Sequence, residues 1–146
     1  MEIIHIVLGK ANPNRMNGVN KVVFQLASEQ EKADREVQVW GVTKDPQANY
    51  PVRIFETRLF KASKIPFFIP KALQKAIWEK RSAVFHLHGG WIPLFTALGF
   101  FFKRHGIQFV ITPHGAYNTI AMDKNRFVKK LYFRLFEKKM LQRVSK

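Results

Sequence analysis

The sequence predicts an open α/β domain, with a doubly wound, mostly parallel sheet and helices on both faces. Three observations carry this expectation. Short β-branched runs of strand length recur along the chain. Segments with helical apolar spacing separate most of them. The runs are nearly continuous in apolar residues, as in strands covered on both faces. The 146 residues suit one domain over positions 1–146, and 47% of them are apolar, which is enough for a core.

The elements follow in order. Residues 2–8 are a β-branched apolar strand, and residues 9–17, with Gly, Pro and three Asn, are a loop. Asn17 is placed to cap a helix whose apolar face is Val19, Val22, Val23, Leu26 and Ala27. Strands are expected at 36–43 and 51–56, followed by an irregular, basic and apolar stretch at 58–70. Pro70 suits the first turn of a helix reaching residue 80. Residues 83–88 form a fourth strand, 91–104 an apolar helix with Gly106 as its C-terminal glycine, 107–112 a fifth strand and 125–143 a last helix. Right-handed crossovers between such strands wind the sheet in both directions, and ligands then sit beyond the carboxyl ends of the strands. The chain ends straight after a helix, where another strand is expected, so it reads as a piece of a longer protein.

Composition excludes several classes. There is no cysteine, hence no disulfide scaffold or thiolate metal site, and a reducing, cytoplasmic setting is expected. No apolar run is long enough to span a bilayer, and the start lacks the features of a signal peptide. The formal charge is +15, from 25 basic and 10 acidic residues, which points to an anionic partner. Residues 124–146 alone hold nine basic residues and one acid.

Three segments at strand ends hold most of the polar residues suited to a site. Asn17-Gly18-Val19 opens the first helix, where unpaired N–H groups and the helix dipole favour an anion; an ordinary helix cap is the alternative. Neither a dinucleotide glycine fingerprint nor a P-loop is present. In His86-Leu87-His88-Gly89-Gly90-Trp91 the two histidines share one strand face. A metal pair with His114 is conceivable, but no thiolate or carboxylate lies nearer than Asp123, and no metal is expected. His88 reads instead as reaching a crevice past Gly89 and Gly90, or as a core histidine beside a turn. Thr112-Pro113-His114-Gly115-Ala116-Tyr117-Asn118 puts an imidazole directly after an apolar strand, placed to bond a sugar hydroxyl or act on a proton, or to serve only the loop.

Taken together, the three motifs resemble the N-terminal, acceptor-binding domain of family 4 (group 1) glycosyltransferases, a Rossmann-like half of the GT-B fold. The residues that carry the resemblance are Asn17-Gly18-Val19-Asn20-Lys21, Val84-Phe85-His86-Leu87-His88-Gly89 and Val110-Ile111-Thr112-Pro113-His114-Gly115. The resemblance implies a retaining transferase that moves a sugar from a nucleotide-sugar to a saccharide or lipid-linked acceptor. It implies His114 as the catalytic residue beside the reacting sugar. His88, Gly89, Gly90, Gly115 and Asn118 would line the acceptor pocket, and Asn17, Gly18 and Lys21 would face the donor phosphates. The nucleotide-sugar is a co-substrate held mainly by a C-terminal domain that this chain lacks, so the chain alone is expected to be inactive. No cofactor is implied.

The last helix is amphipathic over residues 126–136. Phe127, Val128, Leu131, Tyr132, Leu135 and Phe136 form one half, and Arg126, Lys129, Lys130 and Arg134 the other, with Phe133 on the basic side. Arg126, Lys129, Lys130, Phe133 and Arg134 thus form a candidate docking face for an anionic membrane surface, on the inner face of the cytoplasmic membrane. The competing readings are a non-catalytic module binding nucleic acid or anionic membrane, a dinucleotide oxidoreductase, and a carbohydrate-binding subunit paired with a separate donor-binding chain. No nucleic-acid recognition motif is visible, and nucleic acid is not expected as a partner.

Overall fold

The computed structural model describes residues 1–14, 18–116 and 125–138. In chain order the elements are β1 (Ile3–Leu8), α1 (Gly18–Lys32), β2 (Val37–Thr43), β3 (Glu56–Lys61), α2 (Lys71–Glu79), β4 (Val84–His88), α3 (Pro93–His105), β5 (Phe109–Thr112) and α4 (Arg126–Tyr132). The last helix continues as a π-helical turn, Phe133–Glu137. All strand pairs are parallel, and the sheet order is β3-β2-β1-β4-β5. The order reverses between β1 and β4, which is where such sheets open a crevice. The expected α/β class is therefore what the chain adopts.

The third strand differs from expectation. It occupies Glu56–Lys61, where irregular chain was expected, and residues 51–55 lead into it. Pro51 has no N–H for a ladder. Phe55 drops into the apolar cluster beneath α1 before the strand begins. Pairing Trp40 with Arg58 and Val42 with Phe60 then sets the Phe60 ring 5.3 Å from Trp40, on the face that buries both.

Side-chain alternation sorts the strands into two faces. On one face Ile4, Ile6, Trp40, Val42, Phe60, Phe85, Leu87 and Phe109 pack against Leu73, Ala76 and Ile77 of α2 and Phe95, Leu98 and Phe102 of α3. The Trp40 indole N–H, buried there, donates to Gln38 Oε1 at 2.8 Å. On the other face Val7, Val37 and Val39 pack with Phe55 and with Val23 and Ala27 of α1. Of the apolar face expected on α1, Val22 is exposed. β1 and β4 place His5, His86 and His88 on this second face, in register. Helices on opposite faces make the sheet doubly wound. α3 closes on Gly106 in the left-handed region (φ 66°), as expected, with its N–H bonded to the Lys103 and Phe102 carbonyls.

At the amino ends of the strands lie two adjoining hollows of ≈670 and ≈370 Å³. Six of the ten acids of the chain line them: Glu2, Glu29, Glu31, Asp34, Glu36 and Glu56. Glu2 is satisfied by Lys80 at 2.9 Å and by Gln38 at 2.8 Å. Among the described residues, no helix is long and apolar enough to cross a membrane.

Candidate functional site

The carboxyl rim of the sheet is built differently. After β1 the chain turns at Gly9 (φ 109°) and Ala11 (φ 48°), and Asn20, buried in the first turns of α1, ties this loop down. Its Oδ1 accepts the Ala11 N–H at 2.8 Å and its Nδ2 donates to the Leu8 carbonyl at 3.4 Å. A Cβ on Gly9 would meet that Oδ1 at 2.9 Å, so the close approach requires a glycine. The buried Lys10 ammonium donates to Asp45, the Gln47 carbonyl and Asn49 Oδ1 at 3.1, 2.7 and 2.8 Å. The β2–β3 connection is thereby clamped over the rim. Arg53 stacks 3.7 Å from the Tyr50 ring centroid and donates to the Lys10 carbonyl, closing the clamp.

After β4 come Gly89 (φ 132°) and Trp91 (φ 61°), and after β5 come His114 (φ 49°) and Gly115 (φ 78°). For Trp91 and His114 the left-handed backbone costs about 1–3 kcal/mol each, strain of the kind found at working sites. These two loops are fastened together. The Gly89 N–H extends the ladder to the Thr112 carbonyl (2.8 Å), His86 Nε2 bonds Thr112 Oγ1 (2.7 Å), and the Trp91 indole N–H donates to the Ala116 carbonyl (2.7 Å).

Between the loops is a crevice of ≈260 Å³ lined by Val7, Leu8, Val19, His88, Gly89, Gly90, Ile92, Pro113, His114 and Ala116. It is smaller than the acidic hollows, but it collects groups from all three predicted segments at the point of strand reversal. Val19 brings the first turn of α1 to it, with no acidic side chain in that turn to oppose an anion. Among the described residues, an added Cβ at Gly18 meets nothing within 4 Å, so their packing makes no demand for glycine there. Lys21 is exposed one turn further on. Gly115 is exposed, and Gly90 is half-buried on the crevice wall. Asn17 and Asn118 lie outside the described residues.

Four of the five histidines cluster behind this crevice, three of them joined by hydrogen bonds. His114 Nε2 lies 2.9 Å from His88 Nδ1, His88 Nε2 2.8 Å from His5 Nδ1, and His5 Nε2 2.6 Å from Gln30 Oε1 on α1. His86 stacks on His88 with centroids 3.9 Å apart. Burial pushes every one of these imidazoles below its ordinary range. Neighbouring histidines add to this for His86, lowered to about 4, and for His88, lowered to about 2. The cluster is thus neutral at physiological pH. Nitrogens of His5, His86 and His88 lie within 4.8 Å of one another. The nearly parallel stacking of His86 on His88 keeps their in-plane lone pairs from converging on one ion, and the nitrogens already hold hydrogen bonds, so the arrangement suits a chain of bonds better than a metal.

The fourth residue of the chain of bonds, Gln30, and its partner His5 were not picked out from sequence. The available signal was a lone polar residue in the apolar run Ile3-Ile4-His5-Ile6-Val7, which parallel pairing aligns with His86.

The chain matches the profile of Glycosyltransferase Family 4 over residues 16–146. It belongs to that family. No curated protein and no solved structure matches the chain. Membership supports a glycosyltransferase-type function for the domain, and its Rossmann-like sheet agrees with half of a GT-B fold.

The last helix of this family 4 domain packs on Trp91, in the loop that follows β4. Tyr132 donates or accepts at Thr96 Oγ1 (2.9 Å) and lies beside Phe67 and Trp91. Lys129 sits 5.9 Å over the Trp91 ring and Phe133 6.0 Å from it, and both are half-buried. Arg126, Lys130 and Arg134 are exposed, and so are the apolar Phe127, Val128 and Leu131, because no residue of α4 is buried.

Proposed function

We propose that this domain is the acceptor-binding half of a retaining glycosyltransferase that moves a sugar from a nucleotide-sugar to a saccharide or lipid-linked saccharide. The observation that carries the reading is the meeting of Val19, His88 and His114 around one crevice at the strand reversal. The start of α1, with Gly18 and Lys21, faces the donor diphosphate, whose charge the unpaired N–H groups and helix dipole favour. Gly18 lets the phosphate approach the backbone, and Asn17, next to it in sequence, is assigned to the same phosphate side. His114 stands beside the transferring sugar and holds a hydroxyl there; being neutral, it bonds without adding a buried charge. His88, Gly89, Gly90, Gly115 and Asn118 form the acceptor side. A second, donor-binding half supplies most of the contact to the nucleotide, and the reading requires no metal or other cofactor.

The acceptor is brought from an anionic membrane surface on the cytoplasmic side. Exposed Phe127, Val128 and Leu131 beside Arg126, Lys130 and Arg134 support this, with Lys129 and Phe133 holding the helix against Trp91. Each exposed cation near such a surface adds about 1 kcal/mol. The domain should therefore sediment with anionic vesicles and be released by salt. Equal binding to neutral vesicles removes the membrane from the reading, and DNA or RNA binding that persists at physiological salt favours a nucleic-acid module instead.

The central test is transfer itself. In a protein carrying this chain together with a donor-binding half, His114→Ala should lower turnover at least about 100-fold. Undiminished turnover would remove His114 from the mechanism.

A further inference from the structure

The hydrogen bonds from α1 to the crevice have a direction. A neutral imidazole carries one N–H and one bare nitrogen. Gln30 Oε1 is an acceptor, so His5 must present Nε2–H to it at 2.6 Å. His5 Nδ1 is then bare, and His88 must donate to it through Nε2–H at 2.8 Å. His88 Nδ1 is bare in turn, and His114 must donate through Nε2–H at 2.9 Å. The remaining ring nitrogen of His114, Nδ1, is left as an acceptor in a residue that lines the crevice.

We propose that Gln30 and His5 are positioning residues that set the tautomer of His114, so that its Nδ1 accepts a hydrogen bond from a sugar hydroxyl in the crevice. The identity of that hydroxyl as part of a sugar rests on the transferase reading above; the tautomer assignment does not. Three features support the relay. His5 and His88 are buried, so water does not compete for their nitrogens. All three rings are held neutral, and a neutral ring has only two tautomers to choose between. The carbonyl that sets the direction lies on α1, whose first turn lines the same crevice, so one helix fixes both the anion-favouring end and the histidine. A sequence of single-proton rings also transmits a reversal. Were a donor to replace the Gln30 carbonyl, each N–H would move to the opposite nitrogen and His114 Nδ1 would become a donor.

The test is long-range 1H–15N correlation of the imidazoles in the 146-residue chain at neutral pH. The expected spectrum shows His5, His88 and His114 all protonated at Nε2 and bare at Nδ1. Gln30→Glu, which keeps an acceptor, should leave this pattern in place. Gln30→Lys, which presents a donor, should shift His114 toward Nδ1–H. If that variant does not fold, Gln30→Met, which presents neither, should leave His114 a mixture of the two forms. Nδ1–H at His114 in the wild-type chain overturns the assignment, and a His114 signal indifferent to residue 30 overturns the relay. Neither result bears on sugar transfer. Conversely, loss of transferase function as the correct reading would leave the spectrum as described.

Discussion

The two faces of the one sheet share their strands and differ in almost everything else. In β4 the alternation is immediate: Phe85 and Leu87 enter a continuous apolar core beneath α2 and α3, while His86 and His88 enter a hydrogen-bonded histidine cluster. The first face is held by area and shape. Phe85 stacks on Phe102 at 4.9 Å and meets Trp40 edge-on at 5.7 Å. The second is held by bonds that must each find a partner, and it opens at one end into the crevice. Apolar packing is thus concentrated on the first face, while the other buries polar groups and keeps strained residues such as His114.

The largest effect should come from the apolar face. Phe85→Ala removes a fully buried ring and should cost about 3–5 kcal/mol, read as a lower urea midpoint; a loss below 1 kcal/mol would deny that this face holds the fold. On the histidine face, His88→Leu leaves the buried His5 Nδ1 and the half-buried His114 without their partner, and should cost about 1–3 kcal/mol. A cost as large as that of Phe85→Ala would erase the distinction between the faces.

Acid sharpens the comparison further. His86 and His88 have folded-state values below the unfolded value near 6.5, so they stay unprotonated in the fold while the unfolded chain takes up protons. Their contribution is complete above pH about 6.5. It is lost as pH falls from there toward 4 and, for His88, on toward 2. Melting temperature should fall over this window, and His86→Gln should blunt the fall. A flat profile would mean the imidazoles are not desolvated. The smallest effect belongs to Gly18→Ala, where the new methyl meets none of the described residues. Stability should change by no more than about 0.5 kcal/mol, while affinity for a nucleotide-sugar should drop in a protein that carries both halves. Unchanged affinity would separate Gly18 from the donor.

Most of this fold was legible because strand and helix periods are local. The alternating His86-Leu87-His88 and the glycines that follow announce a strand ending in a loop. β3 was misplaced by about five residues because an edge strand takes its register from a neighbour, here Trp40 opposite Arg58. The crevice histidines were found through their motifs. His5 and Gln30 were not, since each has a partner distant in the chain: His5 meets His88 across 83 positions and Gln30 across 25. Likewise nothing local marks Asn20 as the residue that fastens the first rim loop, or Lys10 as a buried cation held by three acceptors. Those roles exist only once the sheet has assembled.

Six carboxylates gather in the hollows at the amino ends of the strands. There they face Arg35 and Lys80, so acids outnumber cations in the lining of these hollows although the chain as a whole is +15. If the proposed donor-phosphate side is correct, capture of a nucleotide-sugar should slacken as added electrolyte screens the cationic residues that face it.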